Sequence, residues 1–153
     1  MKVIAINGSP RKDRNTAQML NTALEGAASA GADTELVHLV DLDFSGCMSC
    51  FDCKRLGNPN FGKCNLKDGL APVLEKISRC GALIIGSPIY IGDVTGMTRN
   101  LIERLTFQYI SYDNTPPYFD GHINCAFIYT MNCPKEFSDC QKAAYEQNAE
   151  CLK

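Results

Sequence analysis

Cys47, Cys50 and Cys53 stand at C-x2-C-x2-C spacing in the stretch GCMSCFDCKRLGNPNFGKC, and Cys64 closes it, so four of the chain's nine cysteines fall between Gly46 and Cys64. Thiolates are soft ligands, and three set this closely occur in bacterial ferredoxins, where they hold iron and sulfide. Four thiolates would also satisfy tetrahedral zinc, although structural zinc more often pairs two separate C-x2-C knuckles. The N-terminus, MKVIAINGSP, carries one lysine and a short apolar run, too short for a signal-peptide core or a membrane span, so the chain is expected in the cytoplasm. In that reducing compartment an odd set of cysteines argues against a disulfide framework and for metal binding, redox chemistry or burial. Cys80, Cys125, Cys133, Cys140 and Cys151 lie apart, and most of them read as small buried hydrophobes.

Two further stretches carry chemistry. NGSPRKDRNT, Asn7 to Thr16, supplies a glycine for a turn, the hydroxyls of Ser9 and Thr16, the amide of Asn15, the cation of Arg11 and then a helix N-terminus. Free N–H groups and the helix dipole favour an anion there, which suits a phosphate. The stretch is neither a P-loop nor a dinucleotide fingerprint, since no Gly-Lys-Ser/Thr triplet and no G-x-G-x-x-G is present. An ordinary polar turn with a helix cap is the plainer alternative. GSPIYIGDVTG, Gly86 to Gly96, combines Pro88 and glycines with Tyr90 as a stacking ring and Ile89 and Ile91 as an apolar floor, parts that suit a flat heterocycle. A mononucleotide with a large ring system fits both loops.

The elements that must position these loops follow from periodicity. Lys2 to Asn7 reads as a strand buried on both faces, and Leu20, Ala23, Leu24 and Ala27 mark a helix from Thr16 that stops near Gly31. Thr34 to Leu39 reads as a second strand, and Val40 to Lys67 as a long loop, a feature that in compact domains tends to be functional. Leu70, Val73, Leu74 and Ile77 give a second helix with Asp68 as its expected cap, and Ala82 to Gly86 a third strand. Leu101, Ile102 and Leu105 give a third helix, Cys125 to Thr130 a fourth strand, and Phe137, Cys140, Ala144 and Cys151 one face of a fourth helix. Such alternation predicts an α/β, doubly wound fold on a parallel sheet. With 153 residues the chain reads as a single domain, residues 1–153, with a cysteine-rich insertion at about 44–66. It ends inside the fourth helix, so either the sheet has four strands or a fifth is missing from this sequence. A net charge of −2 and a hydrophobic fraction of 45% predict a soluble protein without a field for nucleic acid or an anionic membrane, so small molecules or proteins are the expected partners.

NGSPRKDRNT, SPIYIGDVTG followed by RNLIER, and the cysteine cluster before GKCNLKD together resemble the NAD(P)H-dependent FMN reductases of the flavodoxin-like fold, and among them the iron-sulfur flavoproteins. The resemblance implies strand order 2-1-3-4, with Ser9, Arg11, Asn15 and Thr16 holding the FMN phosphate and Pro88, Ile89, Tyr90, Ile91 and Gly92 lining the flavin ring. Thr130 and Met131, in TMNC, are a weaker carry-over, because the glycine often found there in the family is absent. It also implies a 4Fe-4S cluster on Cys47, Cys50, Cys53 and Cys64, with the departure that ten residues separate Cys53 from Cys64; Gly57, Asn58, Pro59 and Gly62 supply a turn to loop them back. Three readings of the cysteines therefore stand: a cluster, free thiols as in cluster-free members of the family, or zinc. The activity implied is an FMN-dependent oxidoreductase that takes hydride from NAD(P)H and passes electrons to a small molecule or a ferredoxin-like protein, as a dimer or tetramer. A flavodoxin-like carrier that oxidises no nicotinamide and a cluster-free quinone or flavin reductase are the alternatives. With FMN carrying the chemistry, no catalytic side chain is required. His38 and His122 lack partners at ligand spacing and read as structural or solvated, Asp93 either meets a flavin edge or shapes its turn, and Phe107 to His122 suits a lid or subunit contact.

Overall fold

The computed structural model describes residues 1–111 and 121–134, together with Glu136, Lys142, Tyr145, Glu146 and Glu150. The expected fourth helix through Phe137, Cys140, Ala144 and Cys151 lies outside the described residues, as do residues 112–120 of the aromatic segment.

Strand β1 (Lys2–Asn7) is the centre of the sheet and buries both faces by the two-residue alternation of a strand. Val3 and Ala5 pack on Leu20 and Leu24 of helix α1 (Asn15–Ser29). Ile4 and Ile6 point the other way, into Leu70, Val73, Leu74 and Ile77 at helix α2 (Ala71–Ile77) and Leu101 and Leu105 of helix α3 (Gly96–Tyr109). Each such side chain removed from water contributes about 1.5–3 kcal/mol. Around β1 the strands β2 (Asp33–His38), β3 (Ala82–Tyr90) and β5 (Asn124–Thr130) run parallel in the order β2-β1-β3-β5, which is the predicted 2-1-3-4 with β5 as the fourth main strand. A two-residue strand, β4 (Asp93–Val94), pairs antiparallel with the end of β3.

Three expectations are corrected. The third strand does not stop at Gly86: Gly86, Ser87 and Pro88 pair with Ile128, Tyr129 and Thr130 of β5. Glycine and proline read as loop, but β1 ends opposite Gly86, so Pro88 falls where no bond to β1 is needed. The second strand ends one residue early, because Leu39 turns into a 3-10 helix over Leu39–Asp41 that buries its side chain completely. Asp68 does not cap α2: the cap position is Leu70, whose N–H donates to Asp68 Oδ1 at 3.1 Å, and the other carboxylate oxygen is engaged elsewhere.

Candidate functional site

In this register Asn7 lies opposite Gly86 and Pro88 opposite Thr130, so the segments after β1, β3 and β5 meet at one edge. The chain leaves β1 for a helix on one face and β3 for a helix on the other, the switch point at which open α/β sheets bind ligands. Asn7, fully buried, accepts the Ser9 N–H on Oδ1 at 3.0 Å and faces His38 Nδ1 across 2.9 Å through its amide nitrogen, which makes His38 structural. Ser9 Oγ in turn accepts the Arg11 N–H at 3.1 Å, which leaves the Ser9 hydroxyl proton free to donate. Gly8 donates its N–H to the Gly86 carbonyl at 2.8 Å and accepts the Thr95 hydroxyl at 2.7 Å. A Cβ on Gly8 would lie 1.8 Å from Thr98 Oγ1, so only glycine lets this loop rest on the start of α3. Thr16 Oγ1 and Thr130 Oγ1 are 2.8 Å apart, and whichever accepts keeps its own proton free. Arg11 and Asn15 are exposed, and α1 begins after Arg14 with no side-chain cap, leaving its first N–H groups open.

Beside this edge, β3 and β4 form a hairpin whose turn residues, Ile91 and Gly92, have φ of 52° and 82°. Positive φ at both central positions is the type I′ turn, for which asparagine and glycine are the favoured pair. Ile91 is β-branched and adopts it at a steric cost while being fully exposed. Tyr90 is half exposed, Ile89 half-buried and Pro88 buried, so the hairpin presents an apolar surface next to the hydroxyls of the β1 loop. Asp93 shapes the turn: Oδ1 accepts the Val94 N–H at 2.7 Å and Oδ2 the Arg99 guanidinium at 2.5 Å.

The cysteine-rich loop lies along α3. Ser49 and Phe51, on either side of Cys50, have φ of 51° and 60°, left-handed conformations that curl the chain and that non-glycine residues adopt at a cost. A 3-10 turn over Asp52–Lys54 follows. Cys47, Cys50, Cys53 and Cys64 line one pocket, whose remaining walls are Met48, Phe51, Asn65 and Leu66 of the loop and Arg104, Phe107 and Gln108 of α3. The ten-residue gap folds back through Asn58 N–H to the Arg55 carbonyl (3.1 Å), Phe61 N–H to the Asn58 carbonyl (2.9 Å) and Gly62 N–H to the Cys53 carbonyl (2.9 Å), and so returns Cys64 to the pocket. Among the described residues no three His, Cys, Asp or Glu side chains are gathered closely enough to hold one metal ion. Burial pushes the Cys53 thiol up, against the pull of Lys54, and the three other thiols push it further.

Side chains hold this loop in place. Lys54 donates to the carbonyls of Phe107 and, at 2.6 Å, Ile110 at the end of α3, and Phe51 sets its ring edge-on to Phe107 with centroids 5.6 Å apart. Gly46 passes so close over α3 that a Cβ would lie 2.8 Å from Asn100 Oδ1. Arg104, with no exposed side-chain surface, donates from Nη1 to Asp68 Oδ2 at 2.5 Å and to the Ser45 carbonyl at 3.2 Å. Burial works to raise the Asp68 carboxyl, but the hydrogen bond and charge of Arg104 outweigh it and hold it below the usual carboxylate range. Sequence reading missed Arg104 and Gln108. The signal was present: Leu101, Arg104, Leu105 and Gln108 follow i, i+3, i+4, i+7 spacing, which puts a cation and an amide on the buried stripe of α3.

Residues 1–122 match the family described as NADPH-dependent FMN reductase. An iron-sulfur flavoprotein of Archaeoglobus fulgidus is 41% identical over 104 residues, which are 68% of this chain and 48% of that protein. Another, of Methanocaldococcus jannaschii, is 36% identical over 104 residues, 68% of this chain and 51% of its own length. This chain thus spans about half the length of the curated relatives it matches. Among solved structures, the NAD(P)H:quinone oxidoreductase from Methanothermobacter marburgensis aligns with a TM-score of 0.73 at 19% identity, over 97% of this chain and 76% of that one. RosB, solved with 8-demethyl-8-formylriboflavin-5'-phosphate, aligns with a TM-score of 0.70 at 19% identity, over 99% of this chain and 60% of its own. At such identities the structural likeness speaks to the fold alone. Strand order, parallel register and the match over residues 1–122 agree: the chain belongs to the NADPH-dependent FMN reductase family and has its flavodoxin-like fold.

Proposed function

We propose that this chain is the FMN-binding part of an NAD(P)H-dependent oxidoreductase that also holds a 4Fe-4S cluster on Cys47, Cys50, Cys53 and Cys64. Ser9, Arg11, Asn15 and Thr16 would hold the FMN phosphate, Pro88, Ile89, Tyr90, Ile91 and Gly92 the ring, and Thr130 would brace Thr16 beneath them. The observation that carries the FMN half is the meeting of free hydroxyl protons and uncapped helix N–H groups with an exposed apolar hairpin at the sheet's switch point. Backbone strain persists where the surroundings over-determine it, and a fully exposed isoleucine at φ 52° makes sense as a surface on which a flat ring packs.

The cluster half is supported by four thiols that line one pocket. Thiols must lose their protons to ligate, so the raised Cys53 thiol releases one on loading. FMN held by the β1 loop and the hairpin would supply hydride-accepting and electron-transfer chemistry, and a cluster on the four cysteines would supply one-electron capacity. The protein's own part is to orient the ring, seat the phosphate and keep water from the cysteine pocket with Met48, Phe51, Leu66 and Phe107. The acceptor belongs to the same proposal: a ferredoxin-like protein or a small molecule, with a dimer or tetramer as the working assembly.

Titrating cofactor-free protein with FMN and following flavin fluorescence tests the phosphate assignment. Ser9→Ala and Thr16→Val each remove a hydroxyl donor to a charged group and are expected to weaken binding about tenfold or more. Unchanged affinity in both would overturn it. NADH or NADPH oxidation with an artificial acceptor, measured on the same preparation, separates a reductase from a pure electron carrier.

A further inference from the structure

We infer that Arg104 and Gln108 donate hydrogen bonds to the sulfurs of a cluster bound in the cysteine pocket and thereby raise its reduction potential. The inference rests on the cluster reading above and concerns residues that are not ligands. Both side chains come from the buried stripe of α3, one turn apart, and both line the pocket with Cys47, Cys50, Cys53 and Cys64. Arg104 as a residue is 1% exposed and Gln108 4%.

Their hydrogen bonding is half complete. Arg104 Nη1 serves Asp68 and the Ser45 carbonyl, but Nε and Nη2, both buried, have no well-placed acceptor among the described residues. Gln108 Oε1 accepts the Cys64 N–H at 3.1 Å, which orients the amide and leaves Nε2 buried and without a partner among the described residues. Buried donors without acceptors are rare in folded proteins, because water is lost and nothing replaces it. Of the other walls, Phe51, Leu66 and Phe107 carry no side-chain acceptor, Met48 only a weak one, and Asn65 Oδ1 already accepts from Asn60. Sulfide and cysteine thiolate sulfurs would supply what is missing. The Cys64 side chain already bears on the guanidinium: burial opposes its charge, and Asp68 together with Cys64 outweighs that opposition.

A cluster on four thiolates is anionic and becomes more so on reduction, so donors and a nearby cation stabilise the reduced form more than the oxidised one. Removing the donors therefore lowers the potential without removing a ligand. Arg104→Lys keeps a cation for Asp68 but loses Nε and Nη2; Gln108→Met keeps the volume and leaves the Arg104–Asp68 pair untouched, losing Nε2 together with the Oε1 that accepts the Cys64 N–H.

The test uses the full chain, anaerobically reconstituted with iron and sulfide, with cluster iron counted and the midpoint potential read from the electron paramagnetic resonance signal during reductive titration. Expected is wild-type iron content with a midpoint shifted to more negative potential in each variant, and further in the double variant. Gln108→Met carries the test alone if Arg104→Lys does not fold. Loaded variants with the wild-type potential would overturn the inference. Folded variants that lose iron would overturn it too, making the two residues builders of the loop rather than tuners of the cluster. Wild-type protein that takes up no iron would defeat the cluster reading itself, a different result from either.

Discussion

The edge formed by β1, β3 and β5 and the loop that carries Cys47 to Cys64 are built by opposite means. At the edge, parallel ladders fix the backbone to within a residue, Asn7 against Gly86 and Pro88 against Thr130, and so bring the segments after three strands together. The loop has no ladder. It is held by a few side chains reaching across to α3 or onto the loop: Lys54 to two carbonyls, Arg104 to Ser45 and Asp68, Gln108 to Cys64. A site built on a sheet has its backbone positioned by the fold. A site built on crossing side chains depends on each of them, and its unsatisfied donors point to something further in the pocket. The two meet at α3, whose start braces Gly8 through Thr95 and whose later turns carry Arg104 and Gln108. From Thr98 to Arg104 the helix rises about 9 Å.

Breaking the side-chain side of this contrast should have the largest effect. Arg104→Ala leaves Asp68 without its cation and the Ser45 carbonyl without its donor, and is expected to lower stability by about 3 kcal/mol in denaturant unfolding. Hydrogen exchange should show the cysteine loop released before the strand edge. Gly8→Ala attacks the other side: a Cβ 1.8 Å from Thr98 Oγ1 forces the loop off α3 and is expected to cost about 2 kcal/mol, with weaker FMN binding in the same titration.

Acid sharpens the comparison without a mutation. The Asp68 carboxyl is held below its ordinary value, so its contribution to stability is complete above the unfolded pKa, about 4, and is lost as pH falls through the lower folded one. Protection of the cysteine-loop amides, relative to their intrinsic exchange rates, should therefore fall below about pH 4 in wild type, and Asp68→Asn should remove that acid dependence. The smallest effect has the opposite sign. Ile91→Asn places a favoured residue in the type I′ turn and relieves a β-branched left-handed conformation, raising stability by about 1 kcal/mol in thermal unfolding while weakening FMN binding. A variant that binds FMN as wild type does would remove Ile91 from the ring site.

Where one period dominates, the fold was legible in the residues. KVIAIN appears as β1, and Leu20, Leu24, Leu101 and Leu105 face the core from their helices. β3 was cut short because Gly86 and Pro88 signal a turn by composition, whereas their strand geometry is imposed by pairing with β5, a contact across some forty residues that no local pattern encodes. The candidate site divides the same way. Cysteine spacing announced a common purpose, but the left-handed Ser49 and Phe51 that curl the chain around Cys50 carry no local signal, since nothing in either side chain asks for that conformation. Arg104 is legible by its position: on a stripe with Leu101 and Leu105, a cation has to be buried and has to be paired.

The most direct measurement is the absorption spectrum of protein purified and reconstituted without oxygen, with flavin, iron and acid-labile sulfide counted per chain. Expected are flavin bands over a broad thiolate-to-iron absorption, one FMN, and about four iron and four sulfide per chain. Flavin bands alone, with no iron retained after reconstitution, would contradict the assignment of Cys47, Cys50, Cys53 and Cys64 as cluster ligands and leave a plain flavin reductase.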